Sequence, residues 1–321
     1  MEYRNLGKSG LKVSEIGLGC IHFGWELDEK ESAYVIHRAL DLGVNFLDTA
    51  NVYNEGRSEE FIGKAIKARR SDVIIATKFG MNTGNSPNSH GGSRYHILRE
   101  IDASLKRLNM EYIDLYYIHF PDPGTPIEET LRTLDNLIKS GKIRYVGCSN
   151  FAAWQLCEAL WTSKVNKLES FVIIETQYSY FYRHIEAELV PCCQAYNVGV
   201  VPWGPLARGF LAGDIQRGKQ PAPPPGRTPL RPDVPQAPAR PPTAGTDSDG
   251  IVTDANFDKL EKMKIFAAER GHTLSELAIA WLLSHKWLSS IIAGATKPEQ
   301  VISNVAASKW VLSEEEIAQL G

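Results

Sequence analysis

Short apolar runs of strand length recur along the chain at Glu15 to Cys20, Val44 to Asp48, Asp72 to Lys78, Ile113 to His119, Ile143 to Cys148, Phe171 to Gln177, Val198 to Trp203 and Ser290 to Gly294. They are rich in Val, Ile and Tyr and bounded by polar residues or glycine. Between them, apolar residues return at helical spacing, as in Ile97, Ile101, Leu105 and Leu108. Strand and helix in alternation predict parallel strands with right-handed crossovers, and near-continuous apolar strands are those covered on both faces. The expected fold class is therefore α/β: a closed (β/α)8 TIM barrel with its helices outside. Two further strands, near Tyr3 to Leu6 and Leu11 to Val13, are joined by Gly7-Lys8-Ser9-Gly10 and predict an N-terminal β-hairpin capping one end. A short helical pattern, Ser313 to Leu320, ends the sequence.

One stretch breaks the pattern. From Gln220 to Gly250 there is hardly an apolar anchor, and ten of the 18 prolines fall between Pro221 and Pro242. Proline fixes its own backbone and removes a donor, so the region 215–250 reads as a long extended or mobile loop after the seventh strand. A linker between domains is the other reading. The segments beyond it are needed to close the barrel, which favours a single barrel domain over 1–321.

Composition adds mainly exclusions. With 43% hydrophobic and 23% charged residues the chain is an ordinary globular one, and a net charge of -3 without basic runs gives no footprint for nucleic acid or an anionic membrane. The N-terminus lacks an apolar signal core and no stretch is long enough to span a bilayer, so a cytoplasmic location is expected. Five cysteines are too few and too unevenly spaced for a disulfide framework, and with neither CxxC nor HExxH present no metal is expected. Adjacent Cys192 and Cys193 read as helix thiols, at least one of them buried.

Three predicted strands end in ionisable residues after apolar runs: Asp48, Lys78 and His119. In a barrel those ends share the face where active sites form, although each alone would pass for a strand-end polar group making a local hydrogen bond. Tyr53 lies five residues past Asp48, ahead of a helix starting near Ser58. Set beside a lysine, a phenol becomes a candidate general acid, because the cation favours the phenolate and draws the tyrosine pKa down. Asp48 would hold that lysine charged, and His119 would orient a substrate carbonyl by hydrogen bonding.

Four segments carry these residues and a fifth site: Val-Asn-Phe-Leu-Asp-Thr-Ala-Asn-Val-Tyr (44 to 53), Ala-Thr-Lys (76 to 78), Asp-Leu-Tyr-Tyr-Ile-His-Phe-Pro-Asp-Pro (114 to 123) and Gly-Cys-Ser-Asn-Phe (147 to 151). In order and spacing the chain from Gly17 to about Ala306 resembles the aldo-keto reductases. The resemblance implies a catalytic tetrad of Asp48, Tyr53, Lys78 and His119. It also implies direct hydride transfer between a nicotinamide and the carbonyl of an aldehyde or ketone, without a metal.

The same resemblance implies that NADP(H) is held by Ser149, Asn150 and Gln177 at the carboxamide, and by Trp203 stacked on the nicotinamide ring. A backbone cradle from Pro205 to Gly213, including Leu206, Gly209 and Leu211, would take the pyrophosphate. Gly294 to Asn304 would take the adenosine 2'-phosphate and adenine, with Thr296, Lys297, Gln300 and Asn304 in contact and Lys297 the cation that selects NADP over NAD. Some members carry an arginine where Gln300 stands and a lysine where Gly294 stands. Trp203 also matches a tryptophan in the potassium-channel beta subunits, which leaves a cofactor-sensing regulatory subunit as the alternative.

A rival nucleotide-binding motif fails, since Gly17-Leu-Gly-Cys-Ile-His22 lacks the third glycine of G-x-G-x-x-G. No tyrosine is followed four residues later by lysine. The expected partner is a small carbonyl compound reached through an open mouth, with Thr125 opening the helix after His119. Trp25, Tyr53 and His119 would contact it, Trp25 reading equally well as plain packing.

Overall fold

A computed structural model describes residues 1–218 and 250–320. Two short antiparallel strands, β1 (Tyr3–Asn5) and β2 (Lys12–Ser14), form the predicted hairpin. Eight parallel strands then close a barrel: β3 (Ile16–Gly19), β4 (Phe46–Asp48), β5 (Ile74–Phe79), β6 (Ile113–Ile118), β7 (Ile143–Ser149), β8 (Ile173–Gln177), β9 (Gly199–Trp203) and β10 (Ile291–Gly294). β10 pairs with both β9 and β3, which closes the ring. Helices α1 (Glu29–Asp41), α2 (Arg57–Ala65), α3 (Arg94–Leu108), α4 (Ile127–Lys139), α5 (Ala153–Asn166) and α6 (Leu189–Tyr196) each follow a strand. Both α7 (Asp254–Glu269) and α8 (Leu274–Leu283) lie between β9 and β10, and α9 (Pro298–Ala307) and α10 (Glu314–Leu320) end the chain.

The strands read as unbroken apolar runs because both faces are covered, yet the pleat sorts each residue to one side or the other. Leu47, Ile75, Tyr116 and Ile174 point outward into the core shared with the helices. Their neighbours Phe46, Ala76, Leu115, Tyr117, Ile173 and Val201 fill the interior. Leu6 and Val13 of the hairpin belong to that inner cluster and are fully buried, so the hairpin plugs the lower end of the barrel. The plug comes close enough to require a glycine: a Cβ on Gly7, whose φ is +52, would sit 2.3 Å from the Val172 carbonyl oxygen. Gly147 makes room inside the barrel in the same way, since a Cβ there would meet the Tyr117 ring at 2.6 Å.

The helices begin where local chemistry allows. Asp28 and Glu31 form a reciprocal capping box at α1, and Thr273 with Glu276 does the same at α8. The helix expected to open at Thr125 begins instead at Ile127, behind Pro126. The intervening turn is held by Asp122, whose carboxylate accepts from the Gly124 and Gly92 N–H groups and from the Thr125 hydroxyl. The proline-rich stretch lies, over 219–249, outside the described residues. At its flanks Arg217 pairs with Asp258 of α7 at 2.5 Å. Among the described residues no helix is long and apolar enough to cross a membrane.

Candidate active site

The upper ends of β4, β5, β6 and β8 bring four polar side chains together. Lys78, wholly buried on β5, donates from Nζ to Asp48 Oδ1 and, at 3.0 Å, to the Thr49 carbonyl. A second carboxylate stands on its other side, with Glu175 Oε2 of β8 at 3.1 Å from Nζ. A buried ammonium is tenable only when paired, and this one has two carboxylates. Burial draws the Lys78 pKa down, but Asp48 and Glu175 outweigh it and hold the ammonium well above its ordinary value. The carboxylates pay the counterpart: burial pushes Asp48 up, against the pull of Lys78.

Tyr53 reaches this cluster from the loop after β4, with the Lys78 ammonium 5.4 Å from its ring centroid. What aims it is a strained turn, since Asn54 (φ 52) and Glu55 (φ 60) are both left-handed ahead of Gly56 (φ 89). Two consecutive non-glycine residues in that region carry a steric cost, which recurs at functional sites. Asn54 offsets it by donating from Nδ2 to the Ile21 carbonyl at 2.8 Å and the Phe23 carbonyl at 2.6 Å, fixing the turn to the loop after β3. The sequence argument anticipated that Lys78 would lower the Tyr53 pKa. That pull is present, but burial outweighs it and the carboxylates add to the rise, so the phenol stays protonated well above its ordinary range.

His119 is 8% exposed just past β6, and its ring meets that of Tyr53 edge-on at 6.0 Å. Its backbone carbonyl accepts from Asn150 Nδ2 at 3.0 Å. Asn150, itself left-handed (φ 61), also donates to Ser149 Oγ at 2.9 Å and accepts from Trp203 Nε1 at 3.1 Å. Ser149, Asn150 and Trp203 are therefore one connected group beside His119. Gln177 is paired in register with Trp203, one layer nearer the mouth than Glu175, which is the residue level with Ser149.

After β9 the chain turns through Pro205 and Leu206 into three successive left-handed residues, Ala207 (φ 49), Arg208 (φ 55) and Gly209 (φ 97). The turn is closed by the Leu206 carbonyl, which accepts from both Gly209 and Leu211. Within the run the Ala207 N–H donates to the Gly204 carbonyl and the Gly209 N–H to Leu206, so the bend is held by the chain's own carbonyls. The Arg208 guanidinium lies 5.5 Å over the Trp203 ring. On the neighbouring strand β10, Gly294 lies exposed beside His22, which stacks on half-buried Trp25 at 6.0 Å. Thr296 and Lys297 lead into α9, where Gln300 turns back so that its Oε1 accepts from the N–H groups of both, at 2.7 and 3.1 Å. Lys297 is exposed, whereas Asn304 lies on the buried face of α9.

The sequence reading singled out neither Glu175 nor Asn54. The signal for Glu175 was available: a carboxylate inside a strand covered on both faces is rarely buried unless paired. Asn54 gave only an ordinary loop asparagine.

A parallel barrel with a lysine, two carboxyls, a tyrosine and a histidine gathered at the C-terminal ends of its strands is the architecture of an enzyme family. The profile of the aldo/keto reductase family matches residues 15–321, and the chain belongs to that family. Among its relatives is a rice (Oryza sativa subsp. japonica) protein named probable voltage-gated potassium channel subunit beta, 39% identical over 314 residues that span 96% of this chain and 91% of the rice protein. Another is versiconal hemiacetal acetate reductase of Aspergillus parasiticus, 35% identical over 348 residues covering 100% of this chain and 96% of that enzyme. An aldo-keto reductase of Alternaria alternata is 33% identical, covering 99% and 90% of the two chains.

Proposed function

We propose that the protein is a cytoplasmic NADP(H)-dependent reductase of aldehydes or ketones, able to run in reverse as an alcohol dehydrogenase. The observation that carries this reading is the Tyr53 phenol standing beside a buried lysine whose charge two carboxyls fix, with His119 across from it. When bound, the nicotinamide supplies or accepts the hydride. Tyr53 Oη gives its proton to the carbonyl oxygen as that oxygen gains negative charge, and Lys78 stabilises the phenolate left behind. Asp48 keeps Lys78 in place, and His119 orients the carbonyl together with Trp25 at the rim.

The residues present fit the dinucleotide. Ser149, Asn150 and Gln177 provide amide and hydroxyl partners next to the flat face of Trp203, and the left-handed bend at Ala207–Gly209, with no side chain at Gly209, would let the backbone approach a pyrophosphate. Pro205, Leu206, Gly209 and Leu211 line that cradle. Gly294, Thr296, Lys297, Gln300 and Asn304 would hold the adenosine end, with Lys297 the cation for a 2'-phosphate.

The test is steady-state NADPH oxidation by the purified protein over a panel of aldehydes, ketones and sugars. A rate no greater than background with every carbonyl, from protein that binds NADPH, would sink the reductase reading. The second reading, a cofactor-sensing regulatory subunit, is favoured by the name and near full-length coverage of the rice relative, and it predicts that outcome.

A further inference from the structure

Lys78 has three N–H donors and more than three claimants. Asp48 Oδ1 takes one and the Thr49 carbonyl a second. The third is left for Glu175 Oε2, 3.1 Å away but without an aligned hydrogen bond, or for Tyr53, whose ring centroid is 5.4 Å from Nζ. Meanwhile Asp48 Oδ2 and Glu175 Oε2 are both buried with no hydrogen-bond partner, and both carboxyls stand against the same Lys78 ammonium. Two ionised carboxylates there would be acceptor facing acceptor. One proton between them satisfies both.

We propose that Glu175 is a positioning residue for the Tyr53–Lys78 pair: protonated, it bonds to Asp48 and leaves the third Lys78 N–H to Tyr53, and ionised, it takes that N–H and sets a negative charge beside the phenol. The proposal rests on the reductase reading for its effect on turnover, but not for the proton itself. The titratable groups around Glu175 act in opposite directions. Asp48 on β4 disfavours a second negative charge, Lys78 on β5 favours it, and Tyr117 on β6 and Tyr53 are neutral phenols that burial keeps protonated. Neighbouring β7 contributes Ser149, and β9 contributes Val201. Cys20, after β3, is a buried thiol whose pKa burial raises. Burial first and Asp48 second push Glu175 up to about 8, against Lys78. Its proton is therefore lost within the range where enzymes work.

The experiment compares the full-length protein with Glu175→Gln and Glu175→Asp. In wild type, kcat/KM for carbonyl reduction should fall about tenfold one pH unit above the Glu175 midpoint, following the protonated fraction. In Glu175→Gln, which keeps the shape and cannot ionise, the alkaline fall should disappear, and Glu175→Asp should retain a fall with a displaced midpoint. An alkaline limb unchanged in Glu175→Gln overturns the proposal. Independently of turnover, isotope-edited infrared spectra of the cofactor-free protein should show a buried protonated carboxyl at about pH 6 that is lost by about pH 9.5 and is absent from Glu175→Gln throughout. If no carbonyl is turned over, the reductase reading has failed on its own. That band then decides, and its absence at acid pH overturns the proposal.

Discussion

Trp203 Nε1 donates to Asn150 Oδ1 at 3.1 Å, and the same asparagine donates to the His119 carbonyl at 3.0 Å. One side chain thus ties the ends of β9, β7 and β6 into a single rim. The bond fixes the plane of the indole and helps hold Asn150 in its left-handed conformation.

Trp203→Phe should keep an aromatic face while removing that donor. Losing one partly buried neutral hydrogen bond predicts a cofactor affinity weaker by about three- to tenfold, with a smaller change in kcat. Isothermal titration with NADPH measures it, and wild-type affinity in the variant would show that the Trp203–Asn150 bond does not organise the site.

Tyr53→Phe should lose at least about 10²-fold in turnover, the contribution of a positioned acid, while NADPH affinity barely changes. Lys78→Met should behave similarly, because it removes the charge that receives the phenolate. Near-normal turnover of Tyr53→Phe would remove it as the proton donor.

Lys297→Ala should weaken NADPH about tenfold and leave NADH nearly untouched; the effect sits at the low end for a charge-assisted contact because the side chain is exposed and screened by salt. Equal losses for both cofactors in a fluorescence titration would mean that Lys297 does not read the 2'-phosphate. Gln300 bears on the same comparison, since its Oε1 occupies the Thr296 and Lys297 N–H groups that an anion would use.

Stability should fall with rising pH through a specific window. The Glu175 pKa is raised on folding from 4.5 to about 8, so the native state holds a proton that the unfolded chain has released. A raised pKa gives stability fully present below the unfolded value and lost as pH climbs through the folded one. Thermal melts between about pH 5 and 8.5 should therefore show a declining Tm that is flatter in Glu175→Gln. A slope identical in both proteins would mean that Glu175 is ionised throughout.

The barrel was legible in the sequence because burial on both faces leaves long apolar runs, and the helices between them carry their own period. Strand limits moved by a residue or two: the run from Val44 narrows to Phe46–Asp48, since Val44 and Asn45 lead into the strand and only its last three residues enter the ladder. Asp48, Lys78 and His119 were legible for a related reason. Each is the polar end of an apolar run, and parallel topology sends all such ends to one face.

What the tertiary structure alone decided is how those ends are shared. Glu175 sits in the middle of an apolar run, where its charge is accounted for only once β5 and β8 face each other across the barrel and Lys78 meets it at 3.1 Å. Asn54 gains its meaning only when the loop after β3 presents two carbonyls to it. A sequence records which side chains a strand carries and which way they alternate. The partners that set their charge come from strands distant along the chain, and closure of the ring determines them.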